Sequence, residues 1–162
     1  MRLKPQTTVL IAVGVVIAGV LLSMALGWWQ TESDKTPRRL ETTGQAEGTA
    51  AYNPADIKGS FTFEEVSRLY EIPLDDLTAA FGVDPGKAAT FKVKDLESLF
   101  TDPASDIGTA SLRLFAAWYK GLPFERKEDS LLPARAAQIL QEKAALDADQ
   151  LSYLAEHTYT AP

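Results

Sequence analysis

The sequence predicts an all-α protein: one N-terminal transmembrane helix, a flexible linker, and a small extramembrane domain of about six short helices. Three observations predict it. Thr8 to Trp29 is a run of twenty-two residues without a charge. The polar remainder carries apolar residues at helical spacing, bracketed by helix start and stop signals. Nowhere does the sequence alternate with a clear period of two, the mark of a half-buried strand.

At about 1.5 Å rise per residue, the run 8–29 extends to roughly 33 Å, enough to cross the hydrocarbon core of a bilayer. Two readings compete for it. Arg2 and Lys4, a central apolar stretch, and Ser23-Met24-Ala25 or Ala25-Leu26-Gly27 fit a cleaved signal peptide. The anchor reading is preferred, because the apolar run continues past those positions into Trp28 and Trp29. Indole rings favour the membrane interface, where an apolar body and a polar N–H are both accommodated. Gly19, Ser23 and Gly27 recur every four residues, and Gly14 with Ala18 forms a second such pair. Small residues at this spacing form a shallow groove for close approach of another helix.

Residues 1–7 form the short basic start. The nearest charges beyond the run, Glu32 and Asp34, are acidic. This favours a cytoplasmic N-terminus in a cell inner or intracytoplasmic membrane, with the C-terminal domain periplasmic. The run holds no ionisable residue, which argues against ion or proton transport along it.

The chain has no cysteine, so disulfides, thiolate metal sites and iron–sulfur ligation are excluded. From Leu40 onward 11 Lys and Arg face 20 Asp and Glu, a formal balance of −9. Such a surface repels phosphate backbones, so no nucleic acid is expected as a partner. Gln30 to Pro54 is polar and aperiodic and reads as a tether.

The first helical module is assigned to 55–101. Thr62 and Glu65 form a capping box, opening a helix to about Tyr70. Pro73 suits the start of a second helix, with Asp75 and Asp76 in its first turn. Leu77 and Phe81 lie on its buried face beside Leu74, and Gly82 ends it. Val93 to Phe100 predicts a third, with Leu96, Leu99 and Phe100 inward. The second module is assigned to 106–158. Thr109 to Lys120 carries Leu112, Phe115 and Trp118 at helical spacing and closes at Gly121. Pro133 opens the next helix, with Ala136, Ala137, Ile139 and Leu140 apolar. Asp147 and Gln150 cap the last, which carries Leu151 and Leu154.

Ile57, Lys58, Gly59, Thr62, Glu65, Val66, Tyr70, Ile72, Pro73, Leu77, Phe81 and Gly82 follow a recognisable pattern. It resembles a small helical module found with bacterial membrane-bound ferredoxin-type and cytochrome b-like redox proteins. Val93 to Phe100 is similar to that module's third helix. The resemblance implies membrane electron-transfer complexes as company. It carries over no redox role, since the redox centres of such proteins lie outside the module.

No catalytic, cofactor-binding or metal constellation is expected. Adjacent carboxylates Glu64–Glu65, Asp75–Asp76 and Glu128–Asp129 point about 100° apart on a helix rather than converging. Asp147 and Asp149 lack calcium-loop spacing and read as capping. The lone His157 has no second ligand at coordinating spacing. Tyr119 and Phe124, flanking the turn that ends at Pro123, are the candidate exposed aromatics for partner contact. The expected role is a non-catalytic accessory subunit meeting other membrane subunits through its helix and acidic domain, within the lipid bilayer. The alternative is a membrane-tethered binding or assembly factor acting transiently.

Overall fold

The computed structural model describes residues 36–40, 51–102, 105–125 and 130–160. The expected transmembrane helix, its packing residues Gly14, Ala18, Gly19, Ser23 and Gly27, and the interfacial Trp28 and Trp29 lie outside these. No helix among the described residues is long and apolar enough to cross a membrane.

The described region is largely helical, with six α-helices. A 3₁₀ turn at Pro54–Asp56 leads into α1 (Phe63–Tyr70). The expected capping box is present: the Thr62 hydroxyl accepts from the Glu65 N–H at 3.1 Å, and the Glu65 carboxylate accepts from the Thr62 N–H at 2.8 Å. This helix stops at Glu71, which adopts left-handed backbone at φ 53° without a glycine. Pro73 sits one position before α2 (Leu74–Phe81), which Gly82 closes at φ 66°. At that angle an L side chain is strained, and glycine is not.

The third predicted helix is shorter than the pattern implied. A 3₁₀ turn at Val93–Asp95 passes into a single α turn, α3 (Leu96–Leu99). Leu96 is buried as expected, but Leu99 is 46% exposed. The helix is too short to present an inward stripe. Phe100 leaves it and packs edge-on against Tyr159, with ring centroids 6.3 Å apart.

Next come α4 (Thr109–Tyr119) and β1 (Leu132–Pro133), followed by α5 (Ala134–Lys143), α6 (Ala148–Glu156) and β2 (Thr158–Tyr159). The second capping box is also present, since Asp147 Oδ1 accepts from the Gln150 N–H at 2.7 Å. β1 and β2 pair in parallel, with Leu132 opposite Thr158. Two residues per strand are too few to leave a period-two signal.

The core forms around α4. Leu112, Leu114, Phe115, Ala116, Ala117 and Trp118 are all buried there, more than the single stripe expected. Rings run through this core: Phe63 meets Phe81 edge-on at 6.0 Å, and Phe81 meets Phe115 at 5.6 Å. Ile57, Phe61 and Ile72, which lie before and after α1 in the chain, belong to the same buried core. Edge-to-face geometry places the positive ring rim against the negative face of its neighbour.

Part of the aperiodic 30–54 stretch lies on this body. The Leu40 N–H donates to the Ala51 carbonyl and the Asn53 N–H to the Arg38 carbonyl, both at 2.8 Å. Pro37 is buried.

Candidate interaction surface

The two aromatics expected at a partner surface are both half-buried against the core. Tyr119 ends α4, where helical spacing stacks its ring at a tilt on Phe115, with centroids 5.7 Å apart. Its hydroxyl donates to Asp76 Oδ2 at 2.6 Å. Lys143, in the last turn of α5, donates to both Asp76 oxygens at 2.6 and 2.8 Å. Asp76 therefore does more than complement the helix dipole of α2. It gathers a phenol from α4 and an ammonium from α5.

The electrostatics follow from this crowding. Burial pushes the Asp76 carboxyl upward, but the Lys143 and Tyr119 hydrogen bonds outweigh it and hold the group below its ordinary 3.8. Tyr119 is pushed up to about 12, by burial first and by the Asp76 carboxylate second. Asp76 thus remains charged and Tyr119 protonated around neutrality.

Phe124 lies just beyond Gly121 (φ 62°), the residue that lets the chain turn back after α4. Trp118 is buried and meets Tyr153 edge-on at 5.5 Å. The Tyr153 hydroxyl accepts from the Ser130 N–H at 2.8 Å and donates to the Ser130 carbonyl at 3.0 Å. His157 follows the end of α6, with its ring stacked on Tyr153 at 3.9 Å and 2°. Its Nδ1 lies 3.1 Å from the Tyr153 carbonyl. The lone histidine thus closes the last turn of α6, with its ring and its main-chain N–H both directed at Tyr153.

Among the described residues the adjacent carboxylates have separate surroundings. Glu65 is used in the capping box, Asp75 is exposed, and Glu128–Asp129 lies outside the described residues. Among the described residues no group of three or more His, Cys, Asp and Glu side chains could hold a metal ion. Every described buried side-chain nitrogen and oxygen has a hydrogen-bond partner. A shallow cleft of about 220 Å³ opens between Glu97, Phe100, Asp102 and Asp106. Its floor includes Ser105, whose hydroxyl donates to the Asp102 carbonyl at 2.7 Å.

One feature left no local sequence signal. Arg38 and Asp56, eighteen positions apart, form a forked ion pair with Nε–Oδ2 at 3.1 Å and Nη2–Oδ1 at 3.0 Å. The Arg38 hydrogen bond comes first among the causes that hold the Asp56 carboxyl below its ordinary value. A basic pair in a polar stretch and an aspartate after Asn-Pro-Ala give no spacing rule that links them. Compared with known protein families, curated proteins and solved structures, the chain matches none.

Proposed function

We propose that the chain is a non-catalytic, single-pass accessory subunit of a larger membrane complex. Its apolar segment packs among other membrane helices, and its acidic helical body docks on the extramembrane part of neighbouring subunits. The observation that carries this reading is the uncharged run Thr8 to Trp29, followed by an acidic body with a buried core of its own. Lipid accepts such a run only as a helix with its backbone bonds satisfied internally. Gly14, Ala18, Gly19, Ser23 and Gly27 supply the close-approach face, and Trp28 and Trp29 the interfacial anchor.

The balance of −9 from Leu40 onward favours basic protein surfaces as docking partners over nucleic acid or anionic headgroups. The likeness of 57–82 to a module that accompanies membrane redox proteins points to respiratory or photosynthetic electron transfer. Basic residues before the apolar run and acidic ones just beyond it favour a periplasmic body.

A tag at the C-terminus, mild detergent extraction and native separation test the reading. The expected result is stable co-migration with haem- or pigment-bearing subunits. A solitary monomer would count against it. Neighbours recovered only after crosslinking would instead indicate a transient assembly factor.

A further inference from the structure

The segment 36–40 is fastened to the helical body at several points. The Arg38 N–H, Nε and Nη2 all reach the Asp56 carboxylate, at 2.9, 3.1 and 3.0 Å. Main-chain hydrogen bonds on either side join Arg38 to Asn53 and Leu40 to Ala51. The Arg39 guanidinium lies 5.4 Å from the centre of the Tyr52 ring, which meets Tyr70 edge-on at 6.3 Å.

The receiving side is pre-set. The Asn53 side chain caps the 3₁₀ turn that carries Asp56, accepting from the Ala55 N–H at 3.0 Å. The Tyr70 hydroxyl donates to the Asn53 carbonyl at 3.1 Å. The ion pair is shallow on its Arg38 side, which is 82% exposed against 18% for Asp56, while Pro37 beside it is buried. An exposed cation on a pre-set carboxylate makes a contact that salt weakens, so the fastening is able to open.

We infer that residues 36–40 form a latch that sets how much free chain lies between the apolar run and the helical body. This rests on the anchor reading of Thr8 to Trp29. With the latch closed, six residues, 30–35, separate Trp29 from the held segment. Fully extended they reach roughly 20 Å. With it open, the tether lengthens to residues 30–50, roughly 70 Å at full extension and about 25 Å on average. Opening thus changes which surfaces the acidic body can reach from one anchoring point.

The full chain reconstituted in liposomes tests this. It has no cysteine, so a single cysteine at exposed Ser98 takes a fluorescent donor cleanly, with acceptor on the lipid headgroups. Asp56→Asn keeps the side chain's size and removes its charge, while Arg38→Gln alters only the exposed partner. Trypsin needs a released main chain to cut after Arg39, the site that both variants keep, and cleavage there is the one scored. Both variants are expected to be cut at least about tenfold faster than the natural chain, and to transfer less energy to the headgroups. Raising NaCl to about 0.5 M is expected to speed cleavage of the natural chain. Equal cleavage in natural chain and variants, with the body still folded by circular dichroism, would overturn the latch. Faster cleavage in a chain that washes off the liposomes would overturn the anchor, and with it the tether, leaving only a contact within the fold.

Discussion

The Tyr119 hydroxyl and the Asp76 carboxylate, 43 positions apart, meet at 2.6 Å. With Lys143 they tie α2, α4 and α5 together at one half-buried point. A hydrogen bond to a charged group contributes about 1.5–3 kcal/mol, and a neutral one about 1. The Asp76 side chain is only 14% exposed, but Lys143 is 46% exposed, so its share is discounted for solvent screening. Tyr119→Phe, which removes one hydrogen bond to the charged carboxylate, is therefore expected to cost about 1.5 kcal/mol, and Asp76→Ala, which also strips Lys143 of its partner, about 2–3. Urea titration followed by far-ultraviolet circular dichroism checks both, and equal small losses would contradict the ranking.

The same residues set the pH response. Asp76 and Asp56 are both held below the ordinary carboxylate value in the folded chain. Their stabilisation is present above about pH 4–5 and is lost as pH falls through the lower folded values. Tyr119 is raised, to about 12 from 10, so its stabilisation is present below pH 10 and lost as pH rises towards 12. Melting temperature against pH should fall at both ends. Asp76→Asn should soften both limbs, and Tyr119→Phe chiefly the alkaline one.

Phe81 is fully buried between two edge-on neighbours, Phe63 and Phe115. Removing its ring leaves a cavity lined by rigid rings, at a cost of about 3–5 kcal/mol. Leu99→Ala, on an exposed side chain of a one-turn helix, should change stability by less than about 0.5 kcal/mol. The pair of denaturation curves checks whether the inward and outward positions are assigned correctly.

Glu71 and Gly82 both end helices in left-handed backbone, at φ 53° and 66°. A Cβ at Gly82 would meet nothing within 4 Å, so Gly82→Ala carries only the backbone cost, about 1–2 kcal/mol. Glu71→Gly removes that same cost and gives up an exposed pair with Lys120, so it should stabilise by about 0.5–1 kcal/mol. Thermal melts of the two variants should move in opposite directions.

What was legible in the sequence was local. Thr62 with Glu65, Asp147 with Gln150, Gly82 and Gly121 act within one helical turn, and each does what its spacing implied. What was not legible depends on residues distant in sequence. Nothing near Tyr119 indicates that α2 brings Asp76 to its hydroxyl, and nothing near Arg38 points to Asp56. Phe61 precedes a helix cap and carries no periodic signal, yet it is fully buried. Leu99 fitted a helical stripe that ends before it can form, because Phe100 turns away to Tyr159.

The proposed function requires that Thr8 to Trp29 remain in the lipid and hold the helical body there. Alkaline carbonate extraction of native membranes, followed by intact mass of the recovered chain, tests it most directly. The expected result is a carbonate-resistant chain that still contains residues 8–29. A chain released by carbonate, with a mass that begins after Gly27, would contradict it.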